Sequence, residues 1–186
     1  IDIFQDVATF HANKIGIGRD DMLAKGAFWV VTRFRSEVVQ DPCYGQVVTA
    51  KTWPHSPSRY TTMRDYLLED QEGNILIKAT AEWLLLDLDS RGLATLADKL
   101  DIEFPYPEQR LFEKKPRKIK PIELAGEPLR IVRPSFSDID INGRVNNARY
   151  AYFALDTMHP DEGLRIASFQ IDYRQEALEG EDLRLY

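Results

Sequence analysis

Residues 135–150, Ser-Phe-Ser-Asp-Ile-Asp-Ile-Asn-Gly-Arg-Val-Asn-Asn-Ala-Arg-Tyr, set carboxylates, carboxamides and a glycine just ahead of an apolar helical run. Asp140, Asn142 and Arg144 are spaced by two, so in an extended segment their side chains leave one face and can converge on one site. Such a set combines a carboxylate that accepts hydrogen bonds, a carboxamide that accepts and donates, and a guanidinium that only donates. A plainer reading also fits: Asn142-Gly143 can form a tight turn, and Asn146 or Asn147 can cap the helix that follows. On spacing alone, turn and cap is the better reading.

The elements that must position these residues fall into two similar halves. Residues 1–13 carry Ile3, Phe4, Val7, Ala8 and Phe10 or His11 at helical spacing, with the helix ending near 14–18. Residues 27–39 are β-branched and aromatic, and Asp41-Pro42 with Gly45 is expected to turn them into a partner strand at 46–53. A second antiparallel pair is expected at 59–69 and 75–88, joined through Asp70-Gln71-Glu72-Gly73-Asn74. The first module is thus a helix followed by a four-stranded meander.

The second half repeats the order, with a short strand at 129–135, a helix at 147–158 presenting Tyr150, Phe153, Ala154 and Met158 on one face, and a strand at 165–176. Phe34-Arg35-Ser36-Glu37 followed by Tyr44-Gly45 is answered by Tyr173-Arg174-Gln175-Glu176 followed by Gly180. The expected organisation is α+β: a module at 1–90, a linker at 91–128 and a module at 129–186. The linker holds Pro105, Pro107, Pro116, Pro121 and Pro128 and the run Glu113-Lys114-Lys115-Pro116-Arg117-Lys118-Ile119-Lys120. It lets the second sheet lie beside the first as one continuous sheet with both helices on one side. By the repeat, two further strands are expected beyond Tyr186 and one before Ile1; trimmed ends are favoured over edges supplied by another chain.

With 186 residues, 44% of them hydrophobic, the chain can bury one or two sizeable cores. No apolar run approaches the roughly 20 residues of a membrane span, and no basic-then-apolar leader opens the sequence, so a cytoplasmic location is expected. The net charge of −6 argues against a nucleic-acid partner. Cys43 is the single cysteine, which rules out an internal disulfide, and it reads as a loop thiol. His11, His55 and His159 are scattered without metal-ligand spacing, so no metal is expected; His159 fits a helix C-cap. Trp29, Trp53 and Trp83 lie in apolar strands and read as core. Gly16-x-Gly18 follows a helix rather than a strand and lacks a third glycine, so it is no dinucleotide signature.

Asp140, Asn142, Val145, Asn146, Asn147, Arg149 and Tyr150 together resemble the signature of the plant and bacterial acyl-acyl carrier protein (acyl-ACP) thioesterases, Asp-x-Asn-x-His-Val-Asn-Asn-x-(Lys/Arg)-Tyr. Arg144 stands where the family has histidine. Residues 171–177 resemble the family's second active-site strand, with Glu176 as its glutamate and Ala177 at the cysteine position of plant members. The likeness runs from 4–11 through Trp29, Trp53 and Trp83, covering nearly the whole chain. It implies a tandem hotdog, in which each module is an antiparallel sheet wrapped on a helix, in agreement with the internal duplication.

The resemblance further implies hydrolysis of fatty acyl-ACP thioesters to free fatty acid, ending chain elongation, without a cofactor. Glu176 would be general base or nucleophile, its pKa raised by burial at an apolar sheet mouth. Asn142 would orient water or thioester, Asp140 would hold Asn142 or Arg144, and N–H groups opening the second helix would meet the oxyanion. A histidine takes and returns protons near neutral pH, whereas Arg144 stays charged. Arg144 therefore either stabilises the oxyanion while Glu176 moves the proton, or pairs with Asp140 or Glu176 and silences the site, or marks a variant altered there. An acyl- or carrier-binding homologue of impaired activity is the alternative function, and acyl-CoA the alternative substrate. Met22, Leu23, Phe28 and Trp29 are expected to line the acyl channel, and Asn146 and Asn147 to contact substrate. Lys114, Lys115, Arg117 and Lys118 either form a solvated spacer or dock the acidic carrier protein. Monomer and homodimer both fit.

Overall fold

The computed structural model describes residues 1–100 and 107–186. Helix α1 (Asp2–Lys14) buries Phe4 and Ala8, one helical turn apart. A short helix α2 (Arg19–Ala24), not anticipated from the sequence, carries Met22 into the interior, and β1 (Ala27–Val38) follows. Next come β2 (Thr49–Pro54), β3 (Thr61–Glu69), β4 (Ile75–Asp87) and a single turn of helix, α3 (Leu96–Lys99). The second half contributes β5 (Arg130–Val132), α4 (Asn147–Met158), β6 (Ser168–Asp172) and β7 (Leu183–Leu185).

Five strands form one antiparallel sheet in the order β2-β3-β4-β1-β6, and β5 pairs with β7 in a separate two-stranded ladder. The expected pairing of β1 with β2 does not occur. β1 and β4, of 12 and 13 residues, pair from Ala27↔Asp87 to Val38↔Ile77 instead, and the 39–48 connection is too long to hold a tight hairpin. The strand expected over 165–176 ends at Asp172, so 173–176 are not the strand that their likeness to 34–37 predicts.

The chain forms two compact units, Ile1–Arg117 with Ala167–Asp172, and Lys118–Ile166 with Tyr173–Tyr186. In the first, Phe4 of α1 meets Tyr66 of β3 at 5.2 Å between ring centroids, while Phe34 of β1 meets Tyr66 at 6.2 Å and Phe169 of β6 at 5.8 Å. Burial pushes the Tyr66 phenol up to about 12. A second cluster joins Ile17, Met22, Ala27, Leu85, Ala94 and Leu96. In the second unit a smaller core of Val145, Phe153 and Ala177 gathers Tyr150, Val132 and Leu183.

The proline-rich stretch was expected as a linker over 91–128, but residues 109–117 are laid across the first sheet; Pro105 lies outside the described residues. Phe34 and Tyr66 face α1, so alternation sends Arg33, Arg35 and Asp65 to the opposite face, where the stretch runs. The Gln109 carbonyl accepts from Trp53 Nε1 of β2 at 3.1 Å, and Leu111 N–H donates to Asp65 of β3 at 2.9 Å. Phe112 lies under Lys78 of β4 and Arg35 of β1, each about 5 Å from its ring centre. The Pro116 carbonyl accepts from Arg33 of β1 at 3.2 Å, and that of Arg117 from Gln170 of β6 at 2.7 Å. The stretch thus meets the strands in their spatial order. This cover explains why residues 63–68 of β3 are all buried instead of alternating.

Phe34, 5% exposed, touches rings from a helix and two other strands. Phe34→Ala should lower the unfolding free energy by about 3 kcal/mol or more, read as a shifted urea midpoint with an unchanged slope.

Candidate active site

Residues 140–144 are a closed turn rather than the extended run that spacing suggested. The Asp140 carboxylate accepts the Asn142 N–H at 2.7 Å and the Arg144 N–H at 3.3 Å, and its second oxygen takes the Asn142 Nδ2 at 3.3 Å. The Asp140 N–H donates to the Arg144 carbonyl at 2.7 Å, and Gly143, at φ +77°, supplies the left-handed residue that the turn requires. Asp140 therefore holds both Asn142 and Arg144, by their backbones as well as by a side chain. Ile139 and Val145 bridge the base of the turn. Asn146 is the N-cap of α4, its Oδ1 accepting the Ala148 N–H at 2.9 Å. With the Ala148 N–H taken by that cap and the Arg149 N–H by the Asn146 carbonyl, two of the expected oxyanion donors are already engaged.

Arg144 reaches Glu176 directly, Nη1 to Oε2 at 2.7 Å. Asp140, Asn142, Arg144 and Glu176 thus form one connected set, 32 residues apart in sequence at its widest bond. The environment of Glu176 differs from expectation. Its side chain is 53% exposed and Arg144 is 22% exposed, so no apolar sheet mouth desolvates the carboxylate. Residues 173–176 lie beyond the end of β6, with Tyr173 half-buried and Arg174, Gln175 and Glu176 exposed. The neighbouring Ala177 is buried, and its carbonyl accepts the Val145 N–H at 2.9 Å.

Asp138 and Arg149 adjoin this set, and Asp138 is not among the residues that the two-residue spacing singles out. One Asp138 oxygen accepts the N–H of Ser135 at 2.9 Å and its hydroxyl at 3.1 Å; the other takes Arg149 Nε at 2.6 Å. The Asp138 carbonyl also accepts the Asn146 N–H at 2.8 Å. Ser135-x-x-Asp138 is a capping-box pattern readable in the sequence, here closing a 3-10 turn at Phe136–Asp138. The Ser135 N–H first, then Arg149 and the Ser135 hydroxyl, hold the Asp138 carboxyl below the usual range.

The remaining candidates sit elsewhere. Met22 is fully buried in the second core cluster, Leu23 is half-buried, and Trp29 packs on that cluster while donating Nε1 to the Ile17 carbonyl at 2.9 Å. Phe28, adjacent to Trp29 in β1, points to the other side and lies under Arg91. Asn147 contributes its carbonyl, which accepts the Tyr173 hydroxyl at 2.9 Å. Lys114, Lys115, Arg117 and Lys118 are exposed. His159 occupies the C-cap of α4 in the left-handed conformation, as its position suggested, and Cys43 is exposed.

The family described as acyl-ACP thioesterase N-terminal domain matches residues 1–104, and acyl-ACP thioesterase C-terminal domain matches residues 127–186. The chain belongs to the acyl-ACP thioesterase family. The oleoyl-acyl carrier protein thioesterase 1 of Arabidopsis thaliana is 29% identical over 94% of this chain and 53% of its own length. A crystal structure of an acyl-ACP thioesterase from Bacteroides thetaiotaomicron superposes with a TM-score of 0.84 at 27% identity, covering 97% of this chain and 74% of that one. The 12:0-ACP thioesterase from Umbellularia californica shares the fold, with a TM-score of 0.75 at 23% identity over 97% of this chain and 75% of that one. The tandem hotdog expected from the sequence is therefore the fold of this family member. The chain spans about half the length of the curated relatives it matches. Among the described residues no helix is long and apolar enough to cross a membrane.

A carboxyl held low in the folded state stabilises the fold fully above its unfolded value, near pH 4, and this contribution is lost as pH falls through the lower folded value. Asp138→Asn should cost about 2 kcal/mol at pH 7 and flatten the decline in stability below about pH 4, measured by urea unfolding at a series of pH values.

Proposed function

We propose that this chain carries the site of a thioester hydrolase that releases fatty acid from acyl-ACP. The reading rests on one observation: Glu176 lies against Arg144, which the Asp140 turn holds beside Asn142. Family membership supplies the reaction class. More than half of the Glu176 side chain is open to solvent, so its carboxylate can take a proton from water while the nascent hydroxide attacks the thioester carbonyl. Collapse of the tetrahedral adduct breaks the carbon–sulfur bond, and the thiolate leaves with the proton that Glu176 received. Arg144 donates to Glu176, and its fixed positive charge favours the developing oxyanion. Asn142 orients the water or the carbonyl. No step needs a histidine at position 144.

The first module holds the acyl chain in this reading, through Met22, Leu23 and Trp29, with Phe28 turned away from them; Asn146 and Asn147 of the second module contact substrate. The exposed Lys114, Lys115, Arg117 and Lys118 form a basic surface that steers the acidic carrier protein, chiefly through the association rate. A cytoplasmic reaction is part of this reading; the plant relatives are named as chloroplastic. Monomer and homodimer are both compatible with it.

A second reading draws on the same ion pair: Arg144 occupies the carboxylate that would have to take the proton, leaving an acyl- or carrier-binding module without turnover. Thiol release from a short panel of acyl-ACP thioesters decides between the two. The hydrolase reading expects turnover by the parent, a fall of about 100-fold or more in kcat for Glu176→Gln, and no gain for Arg144→His. A silent parent revived by Arg144→His would establish the binding module. In the same assay, charge reversal at the four basic residues should raise KM for acyl-ACP about tenfold at low salt, with the effect shrinking as salt rises.

A further inference from the structure

The turn that carries Asn142 and Arg144 stands on a short stem. Its rungs are the Asn146 N–H on the Asp138 carbonyl at 2.8 Å, the Ile139–Val145 bridge, and the Asp140 N–H on the Arg144 carbonyl at 2.7 Å. So short a hairpin does not fix its own direction, because an isolated two-stranded pair is marginal in water. Each leg of the stem is tied to a neighbour. One is tied through the Val145 N–H to the Ala177 carbonyl at 2.9 Å, next to Glu176. On the other leg, Asp138 receives Nε and Nη2 of Arg149, both at 2.6 Å on one carboxylate oxygen. Its second oxygen takes the Ser135 N–H and hydroxyl, so the carboxylate is held from both sides. Arg149 lies in the first turn of α4, and its guanidinium rests over the Tyr152 ring, 5.1 Å from the centroid. With the Asp138 side chain 9% exposed and that of Arg149 36%, this charge-assisted pair is sheltered enough to hold one geometry.

We propose that Asp138 and Arg149 are positioning residues: their ion pair ties the stem to the first turn of α4 and so sets where Asn142 and Arg144 stand relative to Glu176. The catalytic half of this proposal rests on the hydrolase reading above. Neither residue touches the reacting groups of that reading. Both act through the backbone of 138–146. The Lys or Arg of the signature thereby has a physical task, as a cation that reaches back 11 residues to the carboxylate ahead of the turn.

Arg149→Met keeps the aliphatic length of the side chain and removes its charge and donors, whereas Arg149→Lys keeps a charged donor. These variants, Asp138→Asn and the double variant Asp138→Asn/Arg149→Met are compared with the parent at a temperature where urea unfolding shows each to be folded. Two readouts on the full chain are used: steady-state kinetics on an acyl-ACP thioester, and amide hydrogen exchange residue by residue. Arg149→Met and Asp138→Asn should each lower kcat about tenfold and leave KM within about twofold, because a small displacement of a catalytic group is felt in the chemical step. The double variant should lose no more than either single one, since all three lack the same contact. Arg149→Lys should stay within about threefold of the parent. Exchange at the Asn146 amide should quicken about tenfold in Arg149→Met. Asp156→Asn, which removes the exposed Arg130–Asp156 pair near the other end of α4, should leave both readouts as in the parent. Parental kcat in a folded Arg149→Met, or losses that multiply in the double variant, would overturn the positioning role. A parent without turnover would instead defeat the hydrolase reading and the catalytic half with it. Exchange at Asn146 would then decide the tie alone, quickened in its support and unchanged against it.

Discussion

A strand has two hydrogen-bonding edges, and β1 uses both. β4 takes one edge over almost its full length, and β6 takes the other, between Arg33↔Asp172 and Glu37↔Ser168. The second contact brings together residues 139 apart in sequence through the Arg33–Asp172 pair. Closing so long a loop is entropically costly, and the cost must be met by what β6 finds on arrival. It finds Phe34, which Phe169 joins in the aromatic cluster, and it finds Arg33.

The Arg33 guanidinium is nearly buried, at 13% exposed, with Asp172 at 6% and Glu82 at 22%. Desolvation makes such a network poor evidence of stability, but a one-residue slip of β6 would send Asp172 to the face occupied by Phe34 and leave Arg33 without it. The charges specify register. Register matters to this sheet because β6 supplies both the Phe169 ring and the Asp172 carboxylate that β1 receives on opposite faces. The proline-rich stretch reinforces the arrangement, since its carbonyls at Pro116 and Arg117 are held by Arg33 and Gln170.

Some of this was legible in the sequence and some was not, for physical reasons. α1 and α4 were legible because apolar residues recur at helical spacing, and β1, β3 and β4 because their β-branched and aromatic content is dense. The partner of β1 was not, because adjacent strands joined by turn residues suggest a hairpin and nothing local reports a longer ladder elsewhere. The course of the proline-rich stretch was hidden because most of its bonds to the sheet are made by backbone carbonyls and an amide, which leave no mark on residue identity. At the site, the turn at Asn142-Gly143 and the cap at Asn146 were visible as residue types. Glu176 entered as a candidate through family resemblance, while its pairing with Arg144 was one of several open outcomes, because nothing local in the sequence reports a contact across 32 residues. Asp138 was in plain view as Ser135-x-x-Asp138 but was outranked by the more conspicuous carboxylate two residues later.

The site that results replaces a group that takes and returns protons with one that does neither. Asp140 fixes the turn, the turn fixes Arg144, and Arg144 reaches Glu176; in the proposed reaction, proton transfer falls to that single carboxylate. The pH dependence of kcat/KM for an acyl-ACP thioester tests this most directly. The account predicts one ionisation on the acid limb, absent in Glu176→Gln, and none in the range of an ordinary histidine, near pH 6.5. An inflection near pH 6.5 that survives Glu176→Gln would mean that another group moves the proton, and would contradict it.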